Sequence, residues 1–110
     1  MATTYRVLGQ TALTDSTEAT VYTVPASTQS IVSTISVANR SASSALFRIA
    51  IGPSADASTA SKHYVIYDAE IAGNTSTFFT VGITMATGDK VMGYATGPAI
   101  TMNVFGSEIA

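Results

Sequence analysis

Ala45-Leu-Phe-Arg-Ile-Ala-Ile-Gly52 is the stretch that decides the fold. Ala45, Phe47, Ile49 and Ile51 fall on one side of an extended chain, and Leu46, Arg48 and Ala50 on the other. A period of two belongs to a half-buried β-strand, whose successive side chains point to opposite faces. Just upstream, Ser30-Ile-Val-Ser-Thr-Ile-Ser-Val-Ala-Asn39 is a second strand, rich in β-branched residues. The link between them, Asn39-Arg-Ser-Ala-Ser-Ser44, is small and polar, so the pair reads as a hairpin or a tight corner.

Working outward, the same logic predicts strands over 4–8, 17–24, 62–67, 75–83, 90–95 and 100–105. Pro25 closes the second of these because it cannot donate to a ladder. In 62–67 the alternation separates His63, Val65 and Tyr67 from Tyr64, Ile66 and Asp68, and in 75–83 it puts Phe79, Val81 and Ile83 on one side. Thr87-Gly-Asp89 and Thr96-Gly-Pro98 are turn signals, and 54–61 reads as a loop rather than a helical turn. No segment carries a sustained helical stripe. About eight short strands with regular turns predict an all-β, antiparallel β-sandwich, with a jelly roll as one wiring of it and an open barrel as the lesser alternative. The 110 residues are the size of a single domain, expected over 1–110, with a small polar N-terminal arm at 1–4 that stays disordered until it docks.

Composition narrows the chemistry. Only 11% of the residues are charged, against about a quarter in an average soluble domain. There is one histidine and no cysteine, which removes a disulfide framework and a thiol nucleophile. Arg6, Arg40, Arg48, Lys62 and Lys90 are scattered and the net charge is −2, so the basic patch that nucleic-acid binding requires is missing. No apolar run approaches the ~20 residues that cross a bilayer. The opening residues lack the basic start and apolar core of a secretion signal, so the chain is expected to be made in the cytoplasm.

Candidate sites are few. His63 has no partners at metal-ligand spacing and is read as a partly exposed strand histidine rather than a base or ligand. No Gly-x-Ser-x-Gly accompanies the many serines. Asp56, Asp68, Glu70 and Asp89 do not follow a calcium-loop pattern and are read as solvated loop and strand ends, with Asp68 and Glu70 sharing a strand face. Asn39-Arg-Ser and Asn74-Thr-Ser match the glycosylation pattern but read as turn asparagines. Tyr5, Tyr22, Tyr64, Tyr67 and Tyr94 suggest either a sugar-binding platform or core residues, and the absence of tryptophan favours the core. No catalytic, cofactor-binding or metal-binding residue is assigned, and an enzyme is not expected.

The apolar excess points instead to surfaces. Mean hydropathy is +0.33. Ile31 and Val32, Leu46 and Phe47, and Phe78 and Phe79 are adjacent, so alternation sends one of each pair outward. In a small sandwich, outward apolar residues form patches that invite association, so a homo-oligomer or a docked subunit is expected.

The stretch Val21-Tyr-Thr-Val-Pro-Ala-Ser-Thr-Gln-Ser-Ile-Val-Ser-Thr-Ile-Ser-Val-Ala-Asn-Arg-Ser41 resembles small all-β virion structural proteins of tailed bacteriophages, of the capsid cement or decoration type. The resemblance continues through Phe47-Arg-Ile-Ala-Ile-Gly52, Tyr64-Val-Ile-Tyr-Asp68, Gly82-Ile-Thr-Met-Ala-Thr-Gly-Asp89 and Asn103-Val-Phe-Gly-Ser-Glu-Ile-Ala110, and it covers most of the chain from Glu18 onward. It implies a β-sandwich structural protein of a phage particle that clamps neighbouring copies of the major capsid protein, as a homotrimer on the capsid surface. Tail, baseplate and fibre components are the alternative the resemblance leaves open, and a carbohydrate-binding β-sandwich module is the alternative outside it. It carries over no functional residue.

Overall fold

Eight strands alternate between two four-stranded antiparallel sheets in the computed structural model, which describes residues 2–56 and 58–110. They are β1 (Thr3–Ala12), β2 (Ala19–Thr23), β3 (Gln29–Asn39), β4 (Ala45–Gly52), β5 (Tyr64–Ile71), β6 (Ser76–Met85), β7 (Lys90–Ala95) and β8 (Ile100–Ile109). The first sheet runs β1-β8-β3-β6 and the second β2-β7-β4-β5. This is the jelly-roll wiring, in which the chain winds back and forth between the two layers. Among the sheet neighbours only β4 and β5 are consecutive in the chain.

The expected strands are all present, several of them longer than the alternation alone marked. The segment between β3 and β4 is a corner that changes sheets, not a hairpin, because β3 pairs with β8 and β6 while β4 pairs with β7 and β5. Asn39 holds that corner. Its Nδ2 donates to the carbonyls of Ser43 at 2.8 Å and Ile71 at 3.2 Å, and its Oδ1 accepts from the Ser41 N–H and hydroxyl at 3.0 and 2.9 Å. The amide uses its full capacity while buried, which suits a structural asparagine and leaves no free nitrogen for glycosylation. At the two signalled turns, Gly88 (φ 86°) and Gly97 (φ 98°) adopt the left-handed backbone that glycine tolerates.

Three expectations need correction. Thr3 and Thr4, assigned to a disordered arm, belong to β1 and pair with Ile109 and Glu108, while Ala2 exchanges backbone hydrogen bonds with Ala110. The closing strand β8 extends to Ile109, which supplies the ladder that orders them; Met1 lies outside the described residues. The predicted strand at 62–67 begins with a 3-10 turn at Ser61–His63 and becomes extended only at Tyr64. Finally, Asp68 (φ 51°) bulges out of β5, where Tyr67 and Asp68 together oppose Arg48 of β4. The bulge turns Asp68 to the same face as Tyr67, reversing the alternation that had separated them.

The core lies between the sheets. Val32, Ile35 and Val37 of β3 and Ile100, Met102 and Val104 of β8 face Phe47 and Ile49 of β4 and Val91 and Ala95 of β7. Each is at most 1% exposed. The Phe47 and Phe79 rings meet across the layers at 5.8 Å. Truncating Phe47 to alanine leaves a cavity in this layer and is expected to cost about 3–5 kcal/mol in chemical denaturation. Asn39→Ala is expected to cost about 2–3 kcal/mol in the same measurement, because it strands buried carbonyls at the corner.

Candidate functional site

Most of the scarce charged side chains are engaged inside the molecule. Asp15 accepts the Gly97 N–H at 2.9 Å, chiefly by which its carboxyl is held below the usual carboxylate range. Asp89 accepts from the Ser54 and Ala86 N–H groups at 3.0 and 2.9 Å, tying the β6–β7 turn to the loop after β4. Asp56, Asp68, Glu70 and Asp89 are not gathered into one cluster among the described residues.

His63 departs from its expected place. It is 5% exposed, within the loop that precedes β5, rather than half-exposed on a strand. Its Nδ1 accepts the Ala60 N–H at 2.9 Å, so Nε2 carries the proton and donates to Asp56 Oδ2 at 2.7 Å. Asp56 is held below the ordinary carboxylate range by that hydrogen bond first and by Lys62, 3.8 Å away, second. Both ring nitrogens are therefore spent on folding the loop. A lone histidine in a polar segment gave no sign of this, because its partners come from three and seven residues upstream through a turn.

The tyrosines divide. Only Tyr22 is buried; Tyr5 and Tyr67 are among the most exposed large side chains, at 83% and 58%, and Tyr64 and Tyr94 are half-buried. The core reading thus fails for four of the five. On the outer face of the second sheet, the Arg48 guanidinium lies 4.3 Å from the Tyr67 ring centre and 4.4 Å from that of Tyr94. Asp68 accepts from Arg48 Nε at 2.6 Å, which chiefly holds the guanidinium charged beyond its ordinary range. Tyr64 meets Tyr67 edge-on at 4.9 Å. Arg48 takes one face of both rings, so this cluster offers a poor stacking surface for a sugar.

Tyr22 reaches from β2 across the sandwich to the opposite sheet. Its hydroxyl donates to Glu108 Oε2 at 2.6 Å and lies 2.5 Å from Ser30 Oγ, while Glu108 Oε1 accepts from Arg6 at 3.2 Å. Burial first, then the carboxylate, pushes the phenol up to about 12.

The remaining feature is apolar and lies on the outer face of the first sheet. Tyr5, Ser107 and Ile31 form one row across β1, β8 and β3, and Val7, Phe105 and Thr34 the next. Tyr5, Val7 and Ile31 are 83%, 44% and 39% exposed, and with Phe105 they line a shallow depression. Alternation sends one of Ile31 and Val32 outward, and the structure makes it Ile31; its meeting with Tyr5 and Val7 depends on β8 lying between them. Leu46 and Phe78 are the outward members of the other two pairs.

Comparison with protein-family models, with curated proteins and with solved structures finds no match to the chain. The resemblance to phage structural proteins therefore stands on its quoted residues alone.

The Tyr22 bridge predicts an alkaline limb of stability. The fold keeps a proton that the unfolded chain releases above the ordinary phenol value of 10.0, so the contribution is whole below that pH and is lost as pH rises toward about 12. Urea titrations across that window are expected to show the loss in the native chain and a flatter limb in Tyr22→Phe. At neutral pH the same variant is expected to be about 1–3 kcal/mol less stable.

Proposed function

We propose that this chain is a non-enzymatic structural protein of a phage particle, most naturally a capsid cement that clamps neighbouring subunits of an assembled shell. The observation that carries the reading is the apolar patch of Tyr5, Val7, Ile31 and Phe105 on the outer face of the first sheet. Patches of this kind mark surfaces that work by contact with another protein. The side chains that do acid–base chemistry elsewhere are here occupied by loop and inter-sheet hydrogen bonds. The jelly-roll wiring adds support by analogy, since viral capsid domains share it, as do lectins. Between those two, the patch favours a protein partner, and the Arg48-filled aromatic cluster speaks against a sugar platform.

A cement stabilises a shell because it binds the assembled lattice and not the free subunits, shifting the equilibrium by mass action. Repeated copies on one lattice add avidity to a modest single contact. A flat, rigid sheet face suits that task because little ordering is needed on docking.

Quantitative mass spectrometry of purified particles is expected to find this chain at abundance comparable to the major capsid protein. A few copies per particle would instead make it a tail, baseplate or fibre component, and absence from particles would overturn the virion reading. Val7→Asp places a charge in the patch without touching the core and is expected to lower shell binding by at least about tenfold, a cost of roughly 1.4 kcal/mol or more.

A further inference from the structure

Each sheet ends in two edge strands, and three of the four combine a register slip, shortness or a bulge with charge or proline, which discourages pairing with another chain. The strand β1 holds Arg6 and slips register between Val7 and Gly9. The strand β2 has only five residues and is followed by Pro25. The strand β5 carries Asp68 and Glu70 and the bulge described above. Charge, shortness, proline and bulges are the recognised means by which a sheet edge is kept from templating another strand.

The fourth edge, β6, has none of the first three. Ser76-Thr-Phe-Phe-Thr-Val-Gly-Ile-Thr-Met85 is ten residues long, without charge or proline, and its free side faces away from β3. Val81 and Gly82 together oppose Ser33 of β3, a bulge on the paired side, yet the strand is continuous from Ser76 to Met85 and its in–out alternation runs unbroken. Beneath it, Phe79, Val81 and Ile83 join Ile66 and the exposed Val65 of β5 in an apolar groove along the open side of the sandwich.

We propose that β6 pairs antiparallel with β6 of a second copy of this chain about a two-fold axis, joining two four-stranded sheets into one of eight. The choice of occupant comes from the strand itself. Being uncharged, it opposes no like charges when paired with its own copy. A two-fold pair must set outward residues against outward residues, and registers centred on Thr80 or on Val81 each do so over nine residues. The Thr80 register sets Phe78, 68% exposed, against Gly82 of the second copy, where nothing lies within 4 Å of the space a side chain would fill. Symmetry repeats that fit on the other side of the axis. The same register sets Thr80 against Thr80 and Ser76 against Thr84 on the outer face, and Phe79 against Val81 on the inner face, so the groove is closed by its own mate. The contact is two-fold, making a dimer in place of the trimer that the phage resemblance implies, and it does not rest on the capsid reading.

The chain lacks cysteine, so one introduced thiol reports the axis. Directly opposed residues in an antiparallel pair lie about 4.5–5.5 Å apart at Cα, within the reach of a disulfide. Sedimentation analysis of the native chain over a concentration series is expected to give twice 11.3 kDa. Thr80→Cys is expected to cross-link to a dimer on oxidation, and Ser76→Cys is not. Thr80→Lys and Gly82→Val, both on exposed positions of a strand that keeps its fold by circular dichroism, are each expected to weaken the dimer at least about tenfold. A native mass that stays at 11.3 kDa, a trimer, or cross-linking by Ser76→Cys as efficient as by Thr80→Cys would overturn the proposal.

Discussion

Two twisted sheets that can bury their inner faces only against each other are the constraint on which this molecule depends. Because nearly every strand is followed by one in the other layer, both faces of the core are assembled from segments distant in the chain. The centre is built by β3 and β8 on one side and β4 and β7 on the other, and there the exposure of Val32, Phe47, Val91 and Met102 falls to nearly zero. Apolar burial of this kind stabilises by roughly 25 cal/mol per Å², and it has no direction of its own. What orients it is the hydrogen bonding at the corners.

Each crossing between layers leaves backbone groups that no ladder satisfies, and polar side chains take them up. Asn39 does so between β3 and β4, Asp15 where its loop meets Gly97, and Asp89 between the β6–β7 turn and Ser54. Thr87 and Thr28 exchange hydrogen bonds in the same way beside that turn. At Asn39 the Ile71 carbonyl would be left unmet in a buried place, so the cost of losing that side chain exceeds that of losing an exposed ion pair. A chain with so few charges has spent several of them on geometry, and the surface left over is correspondingly apolar.

That surface is uneven in a way that matters for association. Arg48 is stacked between two tyrosines and neutralised by Asp68, so the centre of the second sheet's outer face is a polar–aromatic cluster. The outer face of the first sheet and the β6 edge lack any such internal cover. One offers a flat patch and the other a row of unpaired backbone groups, and these two chemistries suit different partners. The patch is the surface for the proposed shell contact, and the edge is the one for the proposed pairing with a second copy.

Strand identity was legible from residues alone because alternation is a property of the pleat and needs no knowledge of neighbours. It located eight strands and put Phe47 and Leu46, Phe78 and Phe79, and Ile31 and Val32 on opposite faces; the structure turns Leu46, Phe78 and Ile31 outward. Pairing was not legible, since every residue offers the same N–H and C=O and nothing local tells Arg6 that Glu108, 102 residues away, is its partner. For the same reason the patch of Tyr5, Val7, Ile31 and Phe105 and the reach of Tyr22 into the opposite sheet emerge only when the layers close. The bulge at Asp68 shows the limit most sharply: one residue in a left-handed conformation reversed the predicted faces after it. Sequence by itself determined the strands, the division of most of them into two faces and the poverty of reactive groups; the tertiary structure decided which face is buried and which faces meet, because hydrogen-bonded pairing and burial are relations between distant segments.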